Sequence, residues 1–430
     1  MEPSVRVGIV SDRNINFVLH DGYFFHEKWF EGNQNISFEA GKIRWNDKLY
    51  HELVFEPENN HSSFTLKDVI IGVNFHWERK EDQRFHGILK FIIENEQITA
   101  INIIKTEAYL TSVISSEMSS NASPELLKAH AVISRSWLLK QIENNKTAVA
   151  INRNAGFTET ETERIRWYDR EDHANFDVCA DDHCQRYQGI SRVYDNFERV
   201  KQAVESTRGE ILVHENRICD ARFSKCCGGV TEEFQNCWEN TKYSYLVSLC
   251  DTDKSSEFYD LTLESEAIKW INARPESFCN TDDKYILSQI LNNYDQETAD
   301  FYRWSVSYSR HEISALIAER SGIDFGIITE LIPLERGASG RIVKLKIVGT
   351  QKTMTIGKEL EIRKILSKSH LYSSAFYVEM NRDTFTLHGA GWGHGTGLCQ
   401  IGAAVMSEHG YTYTEILQHY YNNAEIKRWY

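Results

Sequence analysis

The sequence lacks several features that would assign it to a large class of proteins. It contains no apolar run of about 18 residues, so no transmembrane helix is predicted. Positive charge is not in excess: the formal net charge is −14, which argues against a nucleic acid or an anionic membrane as a partner. No G-x-G-x-x-G or Walker pattern fits its glycine-rich run at 389–397, so phosphate binding is not indicated.

A secretion signal and a disulfide-scaffold pattern are also missing. The first residues, MEPSVRVGIVSDRN, have neither a basic n-region nor a long apolar h-region. The nine cysteines, an odd number, do not resemble a small disulfide framework; they allow a metal site, disulfides or free thiols. With 430 residues and 41% hydrophobic content, the chain is predicted to be globular, with two or three structural units.

A helical hairpin is predicted between residues 106 and 140. Glu117 follows three apolar residues at helical spacing and ends their stripe: Leu110, Val113 and Ile114. Such a carboxylate either emerges into water or is held partly desolvated, as a general acid requires. Ser123 is predicted to cap a second helix that begins at Pro124.

Strand-like alternation dominates the chain before this hairpin. The first 80 or so residues are predicted to form a β-rich region, with a hairpin turn at Asp21–Gly22. Residues 85–104 form two further strand-like halves joined through 94–96. This second β-hairpin leads directly into the Glu117 helix.

Four potential metal ligands lie within twelve residues downstream of the hairpin. They are His173, Cys179, His183 and Cys184. Two cysteines and two histidines are a normal tetrahedral zinc set, although this spacing is not that of a zinc finger. The alternative is a disulfide between the two cysteines beside unrelated histidines.

The stretch from Glu107 to Trp137 resembles the signature of the SpoIID/LytB family, the stage II sporulation protein D and amidase-enhancer proteins. That signature joins a helix of the form YL-x-x-V-x-x-EM to a Pro-initiated helix of the form K-A-x-A-V-x-x-R. The matching residues are Tyr109–Leu110, Val113, Glu117–Met118, Pro124, Lys128–Ala129, Ala131–Val132 and Arg135. Further matches occur in FSKCCGGVTEEFQNCW and in LHGAGWGHGTGLCQIGAA. The resemblance covers residues 85–250 and 300–430.

The resemblance implies a mixed α+β fold: a β-rich region at 1–84, then a SpoIID-like catalytic domain at 85–430. Residues 252–300 depart from the family pattern and read as an insertion, which could form a lid, a flap or an interaction surface. Zinc, held by the four ligands above in a closed structural site, is the implied cofactor. The residues expected to bind substrate are Arg135, Ser224, Gly228, Gly229, Thr231, His394 and Gln400. For His394 and Gln400 the alternative is that they satisfy buried loop amides.

The family's enzymes are lytic transglycosylases of peptidoglycan, and their catalytic acid corresponds to Glu117. The resemblance therefore implies cleavage of the MurNAc–GlcNAc β-1,4 bond with a 1,6-anhydro product, in the cell envelope. One alternative is a non-catalytic peptidoglycan-binding module that enhances a separate cell-wall amidase. Another is a zinc-dependent hydrolase, which would need an open coordination position.

Overall fold

A computed structural model describes residues 1–72, 78–119, 121–147, 156–167, 173–181, 183–190, 197–254, 259–290 and 300–430. Helices and strands both occur throughout these ranges, which confirms the predicted mixed α+β class. None of the helices in these ranges has the length and apolar character needed to cross a bilayer. The helices are α1 (Thr106–Glu117), α2 (Pro124–Thr147), α3 (Phe197–Ser206), α4 (Phe234–Cys237), α5 (Glu264–Ala273), α6 (Lys284–Ile290), α7 (Arg310–Ser321), α8 (Glu359–Ile365), α9 (Gln400–Glu408) and α10 (Tyr413–Tyr420).

The strands are shared between two compact units. Unit 1 comprises Met1–Thr147, Asp172–Ile211 and Lys427–Tyr430; unit 2 comprises Ala148–Glu171 and Leu212–Ile426. The first strands along the chain are β1 (Ser4–Asp12), β2 (Asn14–Phe25), β3 (Lys28–Glu39), β4 (Lys42–Trp45), β5 (Lys48–Tyr50), β6 (Leu53–Pro57), β7 (Ser63–Ile71), β8 (Arg79–His86), β9 (Ile88–Glu94), β10 (Gln97–Lys105), β11 (Phe157–Glu159) and β12 (Glu163–Arg166). They are followed by β13 (Val178–Cys179), β14 (Glu210–His214), β15 (Arg217–Ile218), β16 (Phe223–Ser224), β17 (Arg303–Ser309), β18 (Ile328–Arg336), β19 (Ile342–Gly349), β20 (Thr353–Gly357), β21 (Phe376–Asn381), β22 (Thr384–Ala390), β23 (Leu398–Cys399) and β24 (Glu425–Arg428).

One eleven-stranded sheet forms the framework of unit 1. Its order is β13-β1-β10-β9-β6-β2-β3-β4-β5, with β7 paired to β2 and β8 to β7. Alternating apolar side chains of these strands meet on the buried face, where Phe17 and Phe91 have ring centroids 5.0 Å apart. β13 runs parallel to β1, and so Cys179 is fixed at the edge of this sheet.

The helical hairpin follows β10 as predicted. α2 begins at Pro124, and Ser123 Oγ accepts a hydrogen bond from the Leu126 amide at 3.3 Å. Leu110, Val113 and Ile114 of α1 are all buried, so the apolar stripe faces the core. Glu117 is therefore placed at the last turn of a helix whose other end is attached to the sheet.

The predicted turn at Asp21–Gly22 is wrong. β2 continues through both residues, and the register of its pairing with β3 shifts between Leu19 and Tyr23. Both residues have positive φ, 58° and 80°, which fits a β-bulge as well as a tight turn. The chain reverses instead between Phe25 and Lys28, where strands β2 and β3 meet.

Unit 2 contains smaller sheets around an apolar core. One sheet has the order β11-β12-β20-β19-β18, and another has the order β17-β22-β21. Ile313 and Ile317 of α7 pack with residues of both sheets, among them Leu345 and Leu387. α5 lies within the predicted insertion, and its Trp270 packs in a second cluster with Leu261, Ile271, Ala375 and Ala390.

The division at residue 84 and the insertion at 252–300 stay predictions. In the structure, β1 from the predicted β-rich region pairs with β10 along eight residue pairs. The strands on either side of residue 84 thus belong to one sheet. Of the insertion, the structure describes 252–254, 259–290 and 300.

Candidate active site and metal centre

The predicted zinc ligands converge in unit 1. One ligand atom from each of His173, Cys179, His183 and Cys184 lies within 4.8 Å of the others. Cys184 Sγ is 3.4 Å from His173 Nε2 and 3.5 Å from His183 Nδ1. Cys179 Sγ is 3.8 Å from His183 Nδ1. The alternative of unrelated histidines does not describe this arrangement, because both imidazoles face the thiols.

These distances match a tetrahedral zinc centre. Zn–S bonds of about 2.3 Å and Zn–N bonds of about 2.0–2.1 Å place sulfur and nitrogen ligands about 3.5 Å apart. Hydrogen bonding to Cys184, and then to His173 and His183, lowers the pKa of the Cys179 thiol to about 2. These contacts favour the thiolate, which is the form of cysteine that binds metal. The donor set fits zinc and supplies four protein ligands.

The segment after the last ligand connects this cluster to α1. Gln185 Oε1 accepts a hydrogen bond from Tyr109 Oη at 3.4 Å, and the Tyr109 and Tyr187 rings stack at 5.0 Å. Tyr187 Oη donates to Asn102 Oδ1 at 2.6 Å, and both side chains are buried. The loop that contains the metal ligands is therefore fixed against the helix that carries Glu117.

Glu117 lies beside the same segment. Its Oε1 accepts a hydrogen bond from the Arg186 amide at 3.4 Å, and its exposure is intermediate. The helix ends immediately after it, with Met118 as the C-cap residue. The Glu117 carboxylate is thus partly exposed and is oriented by an amide two residues beyond Cys184, a candidate metal ligand.

Arg135 is an interior residue rather than a surface contact. Its side chain is fully buried and pairs with Glu107 through Nε–Oε1 at 3.1 Å and Nη2–Oε2 at 2.6 Å. Nη1 donates to the Glu210 carbonyl at 2.9 Å. Glu107 also accepts from the Gly209 amide and the Tyr430 hydroxyl. These bonds give Arg135 a structural role, and its contact with substrate stays an untested prediction.

Two protein-family models match parts of this chain. The family described as Stage II sporulation protein (SpoIID) matches residues 94–214, which include Glu117 and all four metal ligands. The chain carries a SpoIID domain. A second family, described as a domain of unknown function (DUF8618), matches residues 232–397.

Three related proteins align with most of this chain. Stage II sporulation protein D of Bacillus amyloliquefaciens is 25% identical over 76% of this chain and 75% of its own length. An uncharacterized protein of Brachyspira hyodysenteriae is 26% identical over 80% and 72% of the two chains. The Amidase enhancer of Bacillus subtilis is 24% identical over 73% of this chain but only 39% of its own length.

The other predicted substrate-binding residues lie in unit 2, outside the SpoIID match. Gly228 and Gly229 have φ of 84° and 112°, and a Cβ on Gly228 would lie 2.8 Å from the Gly391 amide nitrogen. The paired glycines therefore allow two backbone segments to pack together. Ser224 is buried at the end of β16, with its Oγ lacking a hydrogen-bond partner among the described residues.

Thr231 and His394 are engaged by loop backbone. Thr231 Oγ1 donates to the Val247 carbonyl at 3.0 Å and accepts from the Leu249 amide at 2.9 Å. His394 Nδ1 accepts from the Thr396 amide at 3.0 Å. This hydrogen bond fits the alternative role for His394, in which the ring serves as the hydrogen-bond partner of a buried loop amide. Gln400 is buried as the first residue of α9. The substrate-binding role of all three stays a prediction.

Two arrangements escaped sequence analysis. The ion pair of Arg135 with Glu107 joins positions 28 residues apart, and no motif marks it. A second group with metal-ligating chemistry consists of Cys227, Asp251, Cys279 and Cys399. These four are spread along the chain without ligand-type spacing, so only the abundance of cysteine indicated that a further site was available.

Proposed function

We propose that this protein is a peptidoglycan lytic transglycosylase of the cell envelope, with Glu117 as its single acid and base. The proposal depends on the position of Glu117, which is partly exposed at the end of α1. Its carboxylate is hydrogen-bonded to the segment that follows the candidate metal ligands. Its relatives include proteins named Stage II sporulation protein D, and the position of Glu117 agrees with the EM pair of the family signature.

The proposed reaction needs one carboxylate. Protonated Glu117 donates its proton to the bridging oxygen, and the bond between that oxygen and C1 of MurNAc breaks. The C6 hydroxyl of the same sugar then bonds to C1 and returns its proton to Glu117. The products are a free 4-hydroxyl and a 1,6-anhydro end. Hydrolytic glycosidases use a second carboxylate, which either activates a water or attacks C1 as the nucleophile.

The carboxylates of the other motifs support a single-carboxylate reaction. Glu107 is buried against Arg135. Glu232 is fully buried in unit 2, where it accepts hydrogen bonds from Ser339 Oγ and Asn236 Nδ2. Glu232 is held away from solvent, and this burial raises the pKa of its carboxyl group. Of Glu107, Glu117 and Glu232, Glu117 is therefore the carboxylate that a glycan can reach.

Zinc has a positioning role in this proposal. His173, Cys179, His183 and Cys184 would hold the ion in a closed shell, where it supplies rigidity to the loop. That loop contacts α1 through Gln185, Arg186 and Tyr187. Four protein ligands leave no position for a reactive water, which disfavours the zinc-hydrolase alternative.

The second candidate is a non-catalytic enhancer of a cell-wall amidase that binds peptidoglycan. The similarity to the protein named Amidase enhancer favours it. Both candidates bind glycan strands, and they differ in whether Glu117 performs chemistry.

Mass spectrometry of products from peptide-free glycan strands separates the two candidates. We expect anhydro-ended fragments with the wild-type protein and none with Glu117→Gln, because the amide cannot donate the proton. The matched control is Glu125→Gln, which changes a partly exposed glutamate of α2 paired with Lys128 and should leave product formation unchanged. Absence of fragments with all three proteins, while glycan is retained in a pull-down, would support the enhancer instead. Fragments from Glu117→Gln would refute the assigned role.

A further inference from the structure

A second set of metal-ligating side chains meets in the interior of unit 2. Cys227, Asp251, Cys279 and Cys399 are all buried, and their ligand atoms lie within 4.8 Å of one another. They come from four separate segments: the loop after β16, residue 251, the connection between α5 and α6, and the end of β23. Such convergence of three thiols and a carboxylate away from solvent needs a physical explanation, because an unpaired buried charge is costly.

The spacing between the ligand atoms fits a tetrahedral ion. Cys227 Sγ lies 3.5 Å from Cys279 Sγ and 3.4 Å from Asp251 Oδ2. Zinc bonds of about 2.3 Å to sulfur and about 2.0–2.2 Å to oxygen place two sulfurs about 3.8 Å apart, and sulfur and oxygen about 3.6 Å apart. A disulfide requires a sulfur separation of about 2.05 Å. All nine cysteines lie in the described ranges, and all are free thiols.

Backbone amides point at two of the sulfurs. Cys227 Sγ accepts from the Gly229 amide at 3.4 Å. Cys399 Sγ accepts from the Cys227 amide at 3.2 Å and from the Gly402 amide at 3.4 Å, at the start of α9. At Cys399, two amide donors and the N-terminus of α9 favour the thiolate, which is the metal-binding form of cysteine.

Asp251 is oriented in the manner of a ligating carboxylate. Its Oδ2 faces the thiols and accepts from the Cys279 amide at 3.2 Å, whereas Oδ1 accepts from Tyr420 Oη at 2.7 Å. His419 Nε2 lies 3.4 Å from Oδ1. Hydrogen bonds to the oxygen that faces away from the sulfurs are the outer-shell contacts that hold a ligand in place.

Positive charge is buried next to the cluster. The Arg303 guanidinium donates to the Gly228 carbonyl at 2.8 Å and to the Trp270 and Ile271 carbonyls. Within the part of the chain that the structure describes, no carboxylate pairs with Arg303. A site with three thiolates, one carboxylate and a divalent cation carries a net charge of −2, which this guanidinium partly offsets.

We propose that Cys227, Asp251, Cys279 and Cys399 form a second, structural zinc site. Thiolate donors select zinc over magnesium and calcium, and four protein ligands in a buried setting close the coordination shell. The site is independent of the proposed activity at Glu117. Its function would be to connect four segments of unit 2, among them the stretch that departs from the SpoIID pattern.

Metal analysis of the purified full-length protein tests this site. Plasma mass spectrometry of protein isolated without chelators should give two zinc ions per wild-type chain, one in Cys184→Ser, one in Cys279→Ser and none in the double variant. Cys237→Ser is the matched control: this buried thiol contacts His394 and Thr396 rather than the cluster, so two zinc ions should remain. One ion in wild type that disappears in Cys184→Ser, or two ions retained by Cys279→Ser, would overturn the proposal.

A second measurement decides the case even if Cys279→Ser does not fold. Cobalt loaded into Cys184→Ser should give tetrahedral absorption bands and strong sulfur-to-metal charge transfer from three thiolates. The control is the same cobalt loading of wild type, in which two sites contribute. Absence of these bands, or recovery of a Cys227–Cys279 cross-link from a non-reduced digest of fresh protein, would refute the site.

Discussion

The buried pair of Arg135 and Glu107 allows a quantitative prediction. Arg135 is fully buried and Glu107 nearly so, and two hydrogen bonds join them directly. Arg135→Met would leave the Glu107 carboxylate in the interior, where its remaining hydrogen-bond donors among the described residues are the Gly209 amide and the Tyr430 hydroxyl. Removal of one member of a buried ion pair costs about 3–5 kcal/mol, so the helical hairpin should open about a hundredfold more readily, or more.

Hydrogen–deuterium exchange with mass spectrometry measures this opening segment by segment. Peptides from α2 should exchange about a hundredfold faster, or more, in Arg135→Met than in wild type. Adding Glu107→Gln should restore part of the protection, because the uncompensated charge is then gone; the two changes should be coupled by about 1–3 kcal/mol. Glu125→Gln, which affects a half-exposed pair with Lys128, should change exchange less than threefold, as expected for about 0.5 kcal/mol.

Additivity would refute this reasoning. If the double variant loses the sum of the two single losses, the cost does not arise from an unpaired charge. If Arg135→Met instead preserves exchange but abolishes glycan retention, the residue belongs to the binding surface, as the family resemblance implied.

Three further predictions concern other parts of the chain. Gly228→Ala should lower the free energy of unfolding by more than about 2 kcal/mol in urea titrations, because strain and a backbone clash add; Gly32→Ala, with similar φ but open space around it, should cost only about 1 kcal/mol. Burial, and to a smaller extent nearby arginines, lowers the pKa of His394 well below its usual value. Below about pH 6.5 the unfolded chain therefore binds a proton that the folded chain does not, and the free energy of unfolding decreases as the pH falls. Between pH 6.5 and 5.5, His394→Asn should reduce the decrease in the free energy of unfolding by about 1 kcal/mol. His409→Asn, at an exposed position, should leave that decrease unchanged. Tyr187→Phe should cost about 1–3 kcal/mol in the same assay, because a buried oxygen loses its donor; an unchanged midpoint would contradict the bond assigned to it.

Local chemistry made several elements predictable. Ser123 and Pro124 mark the start of α2, and Thr412 and Glu415 form a capping box at the start of α10. Each feature depends on residues three or four positions apart, where side chain and backbone interact directly. The class of the fold followed from the family resemblance, and the convergence of the four Cys and His residues at 173–184 followed from their closeness in the sequence.

Long-range pairings were not predictable from local pattern. Asp21 and Gly22 tolerate positive φ in a turn and in a bulge alike, and only the pairing of β2 with β3 decides between them. The amide of Cys227 and the sulfur of Cys399 are 172 positions apart, a separation for which no spacing rule exists. His394 lies in a glycine-rich motif that suggests a substrate-binding role, although its Nδ1 accepts a hydrogen bond from the Thr396 amide of the same loop.

Residues 259–290, which lie within the predicted insertion, are packed into unit 2, and this packing limits how they can move. Trp270 is buried with Ala375 and Ala390, and the Cys279 amide donates to Asp251 in the interior. A hinged flap would have to withdraw an indole ring from the interior and expose a carboxylate each time it opened, and both changes cost free energy. This part of the stretch is therefore a fixed component of unit 2, and its deletion would expose the apolar cluster that contains Ala375 and Ala390.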